Sequence, residues 1–321
     1  MKKAVPMYFI FFLINVFCFG QLKFSANTGI MGINIDEIAW DKKSEDAQIL
    51  SLLEWRTYAA PVISLDAQIK FADIFLFGIK GSYVIPFSYG QIEDFDYMNL
   101  LSTAGKERTH YSKHDNNLKN YINANLFFGA GNKILKNLNL SLLFSLKYSY
   151  YNLNAFNGYR QYGEVSGLAY NGENIYSPWK QSIEKKQMTG NIITLESHKL
   201  FFGIGSRLEY YPLDKLCISL YLHLLPALLS QTRDTHHKRK TPYNLFDFTG
   251  EFAFDSSLLV EYKITKNLAF TTVADFFFST VKNASFYQSK NMETWKEAAN
   301  PGGSKEFSWK CLLGVTYIYE K

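Results

Sequence analysis

The chain has 321 residues, a formal net charge of +5 and 3 cysteines. So weak and dispersed a positive balance sets aside a nucleic-acid partner. So few cysteines set aside a disulfide framework and a zinc centre. Aromatic residues make up 17% of the chain, with 27 Phe and 22 Tyr, which is high for a water-soluble domain.

The N-terminus reads Met1-Lys2-Lys3, then an apolar run from Tyr8 to Phe19, then Gly20-Gln21. A charged start, a short apolar stretch and a small residue make a secretory signal. Residues 1–20 are therefore expected to be a signal peptide, and 21–321 a single domain. The run is too short for a membrane-spanning helix. Lipidation at Cys18 competes, but Phe17 stands where a small residue is needed. No later segment approaches the ~18 consecutive apolar residues of a membrane helix.

The rest of the chain alternates. Ile63, Leu65, Ala67, Ile69 and Phe71 alternate with Ser64, Asp66, Gln68 and Lys70. Leu138, Leu140, Leu142, Phe144, Leu146, Tyr148 and Tyr150 alternate with Asn139, Ser141, Leu143, Ser145, Lys147 and Ser149. Ile218 to Leu224, Phe252 to Ile264 and Phe307 to Tyr319 repeat the pattern. Period two means strands with contrasting faces. Nearly every strand carries the same apolar stripe and no helix is available to cover it, so a bilayer is the simplest cover. Cys217 and Cys311 fall on opposite faces.

Connections alternate as well. Tight ones are expected at Ala72-Asp73, Gly131 to Asn137, Pro212 to Lys215 and Thr265 to Asn267. Long polar ones run from Glu37 to Asp46, Gln91 to Asn117, Asn157 to Asn191, Arg233 to Thr249 and Ala284 to Lys305. This gives an all-β fold, a ten-stranded antiparallel transmembrane barrel with long extracellular loops. Its short turns, including those at Asp73, Asp214 and Lys266, face the periplasm. The stretch from Ala47 to Phe71, with Pro61 inside it, is too long for the bilayer alone. The barrel should project above the membrane. Inward Leu143, Phe201, Tyr221 and Leu259 fill the lumen, which argues against a porin.

Two signatures sit where outward strands end. Asp94-Phe95-Asp96 follows the third strand, which ends near Gly90, and Asp234-Thr235-His236 follows the seventh, which ends near Thr232. Both land at one rim, on opposing walls of a groove. Residues i and i+2 of a strand share a face. Asp94 and Asp96 would then both face inward, close enough to raise one pKa. Asp234 can orient the imidazole of His236, and a water between the two pairs could lose a proton to His236 and attack a peptide carbonyl. Acidic residues at a loop are more often merely solvated, and His237-Lys238-Arg239-Lys240 reads as a solvated basic loop. His223 reads as a lumen polar residue, and His198 has no partner in the pattern.

Four stretches together resemble the omptin family of outer-membrane proteases. They are Leu53-Glu54-Trp55, Glu93-Asp94-Phe95-Asp96-Tyr97, Ser112-Lys113-His114-Asp115 and Asp234-Thr235-His236, in order along nearly all the mature chain. The resemblance implies an endopeptidase of the bacterial outer membrane, facing the exterior and acting on polypeptides. We expect a monomer in outer-membrane lipid. The implied catalytic residues are Asp94, Asp96, Asp234 and His236, with an activated water, no metal, no cofactor and no covalent intermediate. It also implies Glu37 in the pocket for a basic P1 side chain, or Asp36 if the loop shifts, and a supporting role for His114. Thr232 stands where dibasic-cutting relatives have a second acid, and His110 replaces another. Cleavage after a single basic residue is therefore expected. Tyr150 and Glu196 fall at the positions of the family's lipopolysaccharide-binding arginines, which puts that dependence in doubt. The alternative is an omptin-like barrel serving as an adhesin or docking surface.

Overall fold

The computed structural model describes residues 20–41, 48–72, 74–99, 107–170, 172–247, 250–280, 284–298 and 301–320. Residues 1–19, which hold nearly all of the expected signal peptide, lie outside the described residues. So does Asp73 of the first expected turn.

Ten staves follow one another. They are β1 (Gly20–Trp40), β2 (Ile49–Phe71), β3 (Phe75–Val84, resumed as Tyr89–Asp96), β4 (His110–Leu135) and β5 (Leu138–Tyr162). Then come β6 (Asn191–Leu213), β7 (Leu216–His236), β8 (Tyr243–Asp247, resumed as Phe252–Lys263), β9 (Leu268–Thr280, resumed as Ser285–Ser289) and β10 (Gly302–Tyr319). Each pairs antiparallel with the next, and β1 pairs with β10, so the sheet closes into a ring. Among the described residues every stave has a neighbour on both sides, so the ring ends on no free edge strand.

The faces alternate as the sequence implies. Leu140, Leu142, Phe144 and Leu146 are exposed outward, while Ser141, Leu143, Ser145 and Lys147 are buried inward. Cys217 is buried and Cys311 exposed, both as free thiols. The inner face of the belt is charged but paired. Lys80 and Lys310 reach Asp275 at 2.9 and 3.0 Å, and Lys147 reaches Asp255 at 2.7 Å. Packed this way, the middle of the lumen retains free space of about 70 Å³, while towards the turn end it opens into a cavity of about 880 Å³ lined by Lys23, Gln68, Arg207 and Glu209.

The strands run farther than the turn and loop signals suggest. β1 continues to Trp40, β4 begins at His110, β5 reaches Tyr162, and most of Gly131 to Asn137 is strand rather than turn. Pairing in the wall overrides local loop character, because each added residue satisfies its backbone groups in the ladder. Pro61 lies within β2 opposite Ile30, and the ladder absorbs irregularities at Met31/Ile33 and Thr57/Ala59. Past the apolar belt the inner face changes character. Met31, Ile33, Ile35, Trp55, Ile92, Leu118, Tyr151, Leu153, Ile193 and Leu195 are buried together. They form a dry floor beneath the loop end of the barrel.

Candidate active site

Above that floor the inward positions turn acidic. Glu37 follows Ile33 and Ile35 on the inner face of β1. Asp94 and Asp96 continue Ile92 on β3, and Asp234 and His236 continue Thr232 on β7. All five lie within strands, not in the loops after them. A rigid ladder therefore holds them, which is better suited to fixed geometry than a loop. Register places Leu53 of β2 beside both Glu37 and Asp94. β3 and β7 stand on opposing walls of the ring.

Burial is nearly complete. Glu37 is 2% exposed, Asp94 4%, Asp234 3% and His236 4%; Asp96 is half-buried. On the β7 wall, Nε2 of His236 meets Oδ2 of Asp234 at 2.5 Å, and the Asn244 amide donates to the same oxygen at 3.5 Å. On the β1 side, the Trp55 indole donates to Oε2 of Glu37 at 2.8 Å. Asp94 has the Ser112 hydroxyl beside it and the Arg239 guanidinium at 3.8 Å from Oδ2. Oε1 of Glu37, Oδ1 of Asp94 and Oδ1 of Asp234 are buried without a hydrogen-bond partner. Such oxygens are costly to hold, and these three belong to acids that act on one another's charge.

Burial pushes the Asp94 carboxyl well above the usual carboxylate range. The Asp96 charge adds to this, Arg239 opposes it, and Asp234 raises it again. Burial likewise raises Glu37 well above its usual value, reinforced by Asp234 and then Asp94, against the Trp55 hydrogen bond. Acids this close on a dry floor cannot all ionise at once. Asp94 therefore keeps its proton above the usual carboxylate range.

His114 is buried on the face of β4 that carries Ser112, the ladder partner of Asp94. Its Nδ1 lies 2.5 Å from the Asn157 carbonyl and its Nε2 lies 3.0 Å from Ser112 Oγ. Asn157 and Gly158 adopt φ of 53° and 97° to present that carbonyl, and a Cβ on Gly158 would collide with the Lys113 carbonyl oxygen. Burial holds His114 below its usual pKa. His110 pairs opposite Asp96 across β3 and β4 and packs its ring on Tyr162 and Tyr176. Burial lowers its pKa as well, against the charge of Asp96.

Three sequence expectations change. Asp36 cannot take the role of Glu37: it points to the other face, ion-paired with Arg56 at 2.6 Å and Lys305 at 3.1 Å. His198 has partners after all, the Tyr148 hydroxyl at 2.9 Å and the Tyr150 ring. The basic run after His236 is not wholly solvated, because Arg239 turns back to Asp94. Reversal at His236 brings it there: His236 and His237 bond back to Pro242 and Ile192. Sequence could not single out Arg239 from Lys238 and Lys240, since only the turn's register does so. Tyr150 and Glu196 hydrogen-bond to each other at 3.1 Å on the outer wall, where Arg233 also pairs with Glu196.

A sequence profile described as the Omptin family matches residues 19–319. The structure is similar to the outer-membrane protease OmpT of Escherichia coli, with a TM-score of 0.81 at 16% identity, covering 93% of this chain and 97% of that one. The transport unit of the autotransporter AIDA-I of Escherichia coli gives a TM-score of 0.35 at 11% identity, over 91% and 90% of the two chains. The translocator domain of NalP of Neisseria meningitidis gives 0.36 at 12% identity, over 98% and 95%. Likeness at that level carries no argument. No curated protein sequence matches significantly. Match and fold agree over nearly the whole described chain, which belongs to the omptin family of outer-membrane proteases.

Proposed function

We propose that this barrel is a surface endopeptidase whose loop end faces the exterior and whose groove hydrolyses polypeptides next to a basic residue. The observation that carries the reading is the Asp234–His236 contact on one wall, facing the buried Asp94 beside Asp96 on the other. A water between them is held by Asp94 and Asp96. With Nε2 engaged by Asp234, Nδ1 of His236 is the nitrogen left to take its proton. The oxygen attacks the peptide carbonyl, the tetrahedral intermediate collapses, and the proton passes from the imidazole to the departing amine. Asp234 fixes the ring and stabilises its charge when the proton arrives. No atom of the protein becomes covalently attached to substrate. Glu37 offers its unpaired Oε1 to the cationic side chain before the scissile bond.

An adhesive or docking barrel without proteolysis needs none of this. Three orphaned carboxylate oxygens and an engaged Asp–His pair on a dry floor are disadvantageous for stability alone. The test is turnover of a mixed peptide library by refolded protein, read by mass spectrometry. We expect His236→Ala to lower the rate by roughly 10²–10⁴-fold. Turnover unchanged by that substitution, or absent from the wild type, would reject the mechanism.

A further inference from the structure

Glu37, Asp94 and Asp234 are almost closed to solvent, so a substrate cation reaches them only if something moves. Arg239 is the group placed to do so. About half of its side chain is exposed, with 48% accessible against 5% for Asp94. It belongs to the tight reversal after His236 and not to the wall. Its guanidinium stands 3.8 Å from Asp94 Oδ2, beyond a good hydrogen bond. A contact of that length and exposure is weak and readily exchanged. Asp96 and Asp234 also act on its charge, as does the Tyr162 hydroxyl. Arg239 therefore shares Asp94 and Asp234 with Glu37, whose own charge those two acids oppose, so a cation entering beside Glu37 draws on the same carboxylates.

We propose that Arg239 is a specificity-determining residue: its guanidinium occupies the acidic groove in the free protein and must be displaced by the cationic side chain of the substrate. This rests on the endopeptidase reading above. The occupant is chemically the same as the ligand it excludes, a guanidinium on a flexible stem. Like charge in a shared site has two consequences. Basic substrates compete with Arg239, so their apparent binding is weakened. Neutral isosteres do not, because they leave the guanidinium where it is.

The experiment compares wild type, Arg239→Ala and Arg239→Lys on two peptides identical except that one carries arginine before the scissile bond and the other citrulline. Arg239→Ala should lower KM for the arginine peptide by about two- to fivefold, against an unchanged KM for the citrulline peptide. Arg239→Lys should behave as wild type. A shift common to both peptides, or no shift, overturns the proposal. The same pair is run as fluorescent peptides for binding in a His236→Ala background. Tighter binding of the arginine peptide alone on adding Arg239→Ala supports the displacement even if no protein cleaves anything. In that case it is the endopeptidase reading that fails. Equal binding with and without Arg239 overturns the displacement whatever the turnover.

Discussion

Ser112 stands between His114 and Asp94 with one proton to give. A carbonyl only accepts, so Nδ1 of His114 must donate to Asn157, and the neutral ring presents Nε2 as an acceptor. That acceptor lies 3.0 Å from Ser112 Oγ, and the Asp94 carboxylate is the rival for the same hydroxyl hydrogen. While Ser112 donates to His114, Asp94 is better served as an acid donating to Oγ. His114 thereby competes with Asp94 for the hydrogen bond that lowers the Asp94 pKa.

His114→Ala should release the Ser112 proton to Asp94 and favour its ionised form. If the ionised form holds the attacking water, the acid limb of the pH–rate profile moves to lower pH. A role confined to packing would lower the rate equally at every pH. Profiles of wild type and variant, superimposable after scaling, would count against the relay.

Glu37 ionises later in the folded protein than in the unfolded chain, because burial and the charge of Asp234 raise its pKa above 4.5. Below the unfolded value both states carry the proton and the group is not adverse. As pH rises above it, the unfolded chain ionises first and stability falls until the folded value is passed. Glu37→Gln removes this dependence and still accepts from Trp55. Its melting temperature should match the wild type at about pH 4 and exceed it increasingly towards neutrality. Thermal unfolding in detergent followed by circular dichroism checks this, and a constant difference across pH would contradict it.

Much of the wall was legible because alternation over long strands leaves little choice of face. The run from Leu140 to Lys147 and the opposite faces of Cys217 and Cys311 show it. Strand ends were not legible. Polar residues such as Asp94, Asp96 and those of His110 to Asn117 look like loop, yet the ladder carries them. The two signatures were readable by their i, i+2 spacing. Their environment was not: the Trp55 contact to Glu37, the Ser112 hydroxyl beside Asp94 and the return of Arg239 come from β1, β2, β4 and the turn after β7. Those positions lie far apart in sequence, and only the closed ring and its register bring them together.

The wall also contains a buried charge cluster with no part in the groove. Lys199 is fully buried, 2.8 Å from Glu251 and 3.3 Å from Glu306. Removing the cation leaves two buried carboxylates facing each other without compensation, the costly way to break a buried pair. Lys199→Met should destabilise the barrel by about 3–5 kcal/mol. The triple change Lys199→Met, Glu251→Gln and Glu306→Gln should recover most of that loss. Urea unfolding in detergent measures both. A single variant as stable as the wild type would show that the cluster does not hold its charges as described.

Thr232 is where specificity should be most open to change. It is fully buried on the face of Asp234 and His236, two positions before the aspartate, and its hydroxyl lies 2.8 Å from Ser197 Oγ. Thr232→Asp therefore adds a carboxylate to the groove with a hydroxyl already in place to donate to it. An unpaired buried charge is unfavourable, so the new acid should lower stability in the free protein and be relieved when a cationic side chain enters. Arginine gains most, because it can engage a carboxylate through two parallel hydrogen bonds. The ratio of kcat/KM for the arginine peptide over its citrulline isostere should rise about tenfold. Glu37→Ala should abolish the preference in the wild-type background and only reduce it in Thr232→Asp. If Thr232→Asp leaves the ratio unchanged while the protein remains folded and active, the cationic side chain does not enter beside β7. The pocket must then be sought elsewhere along the groove.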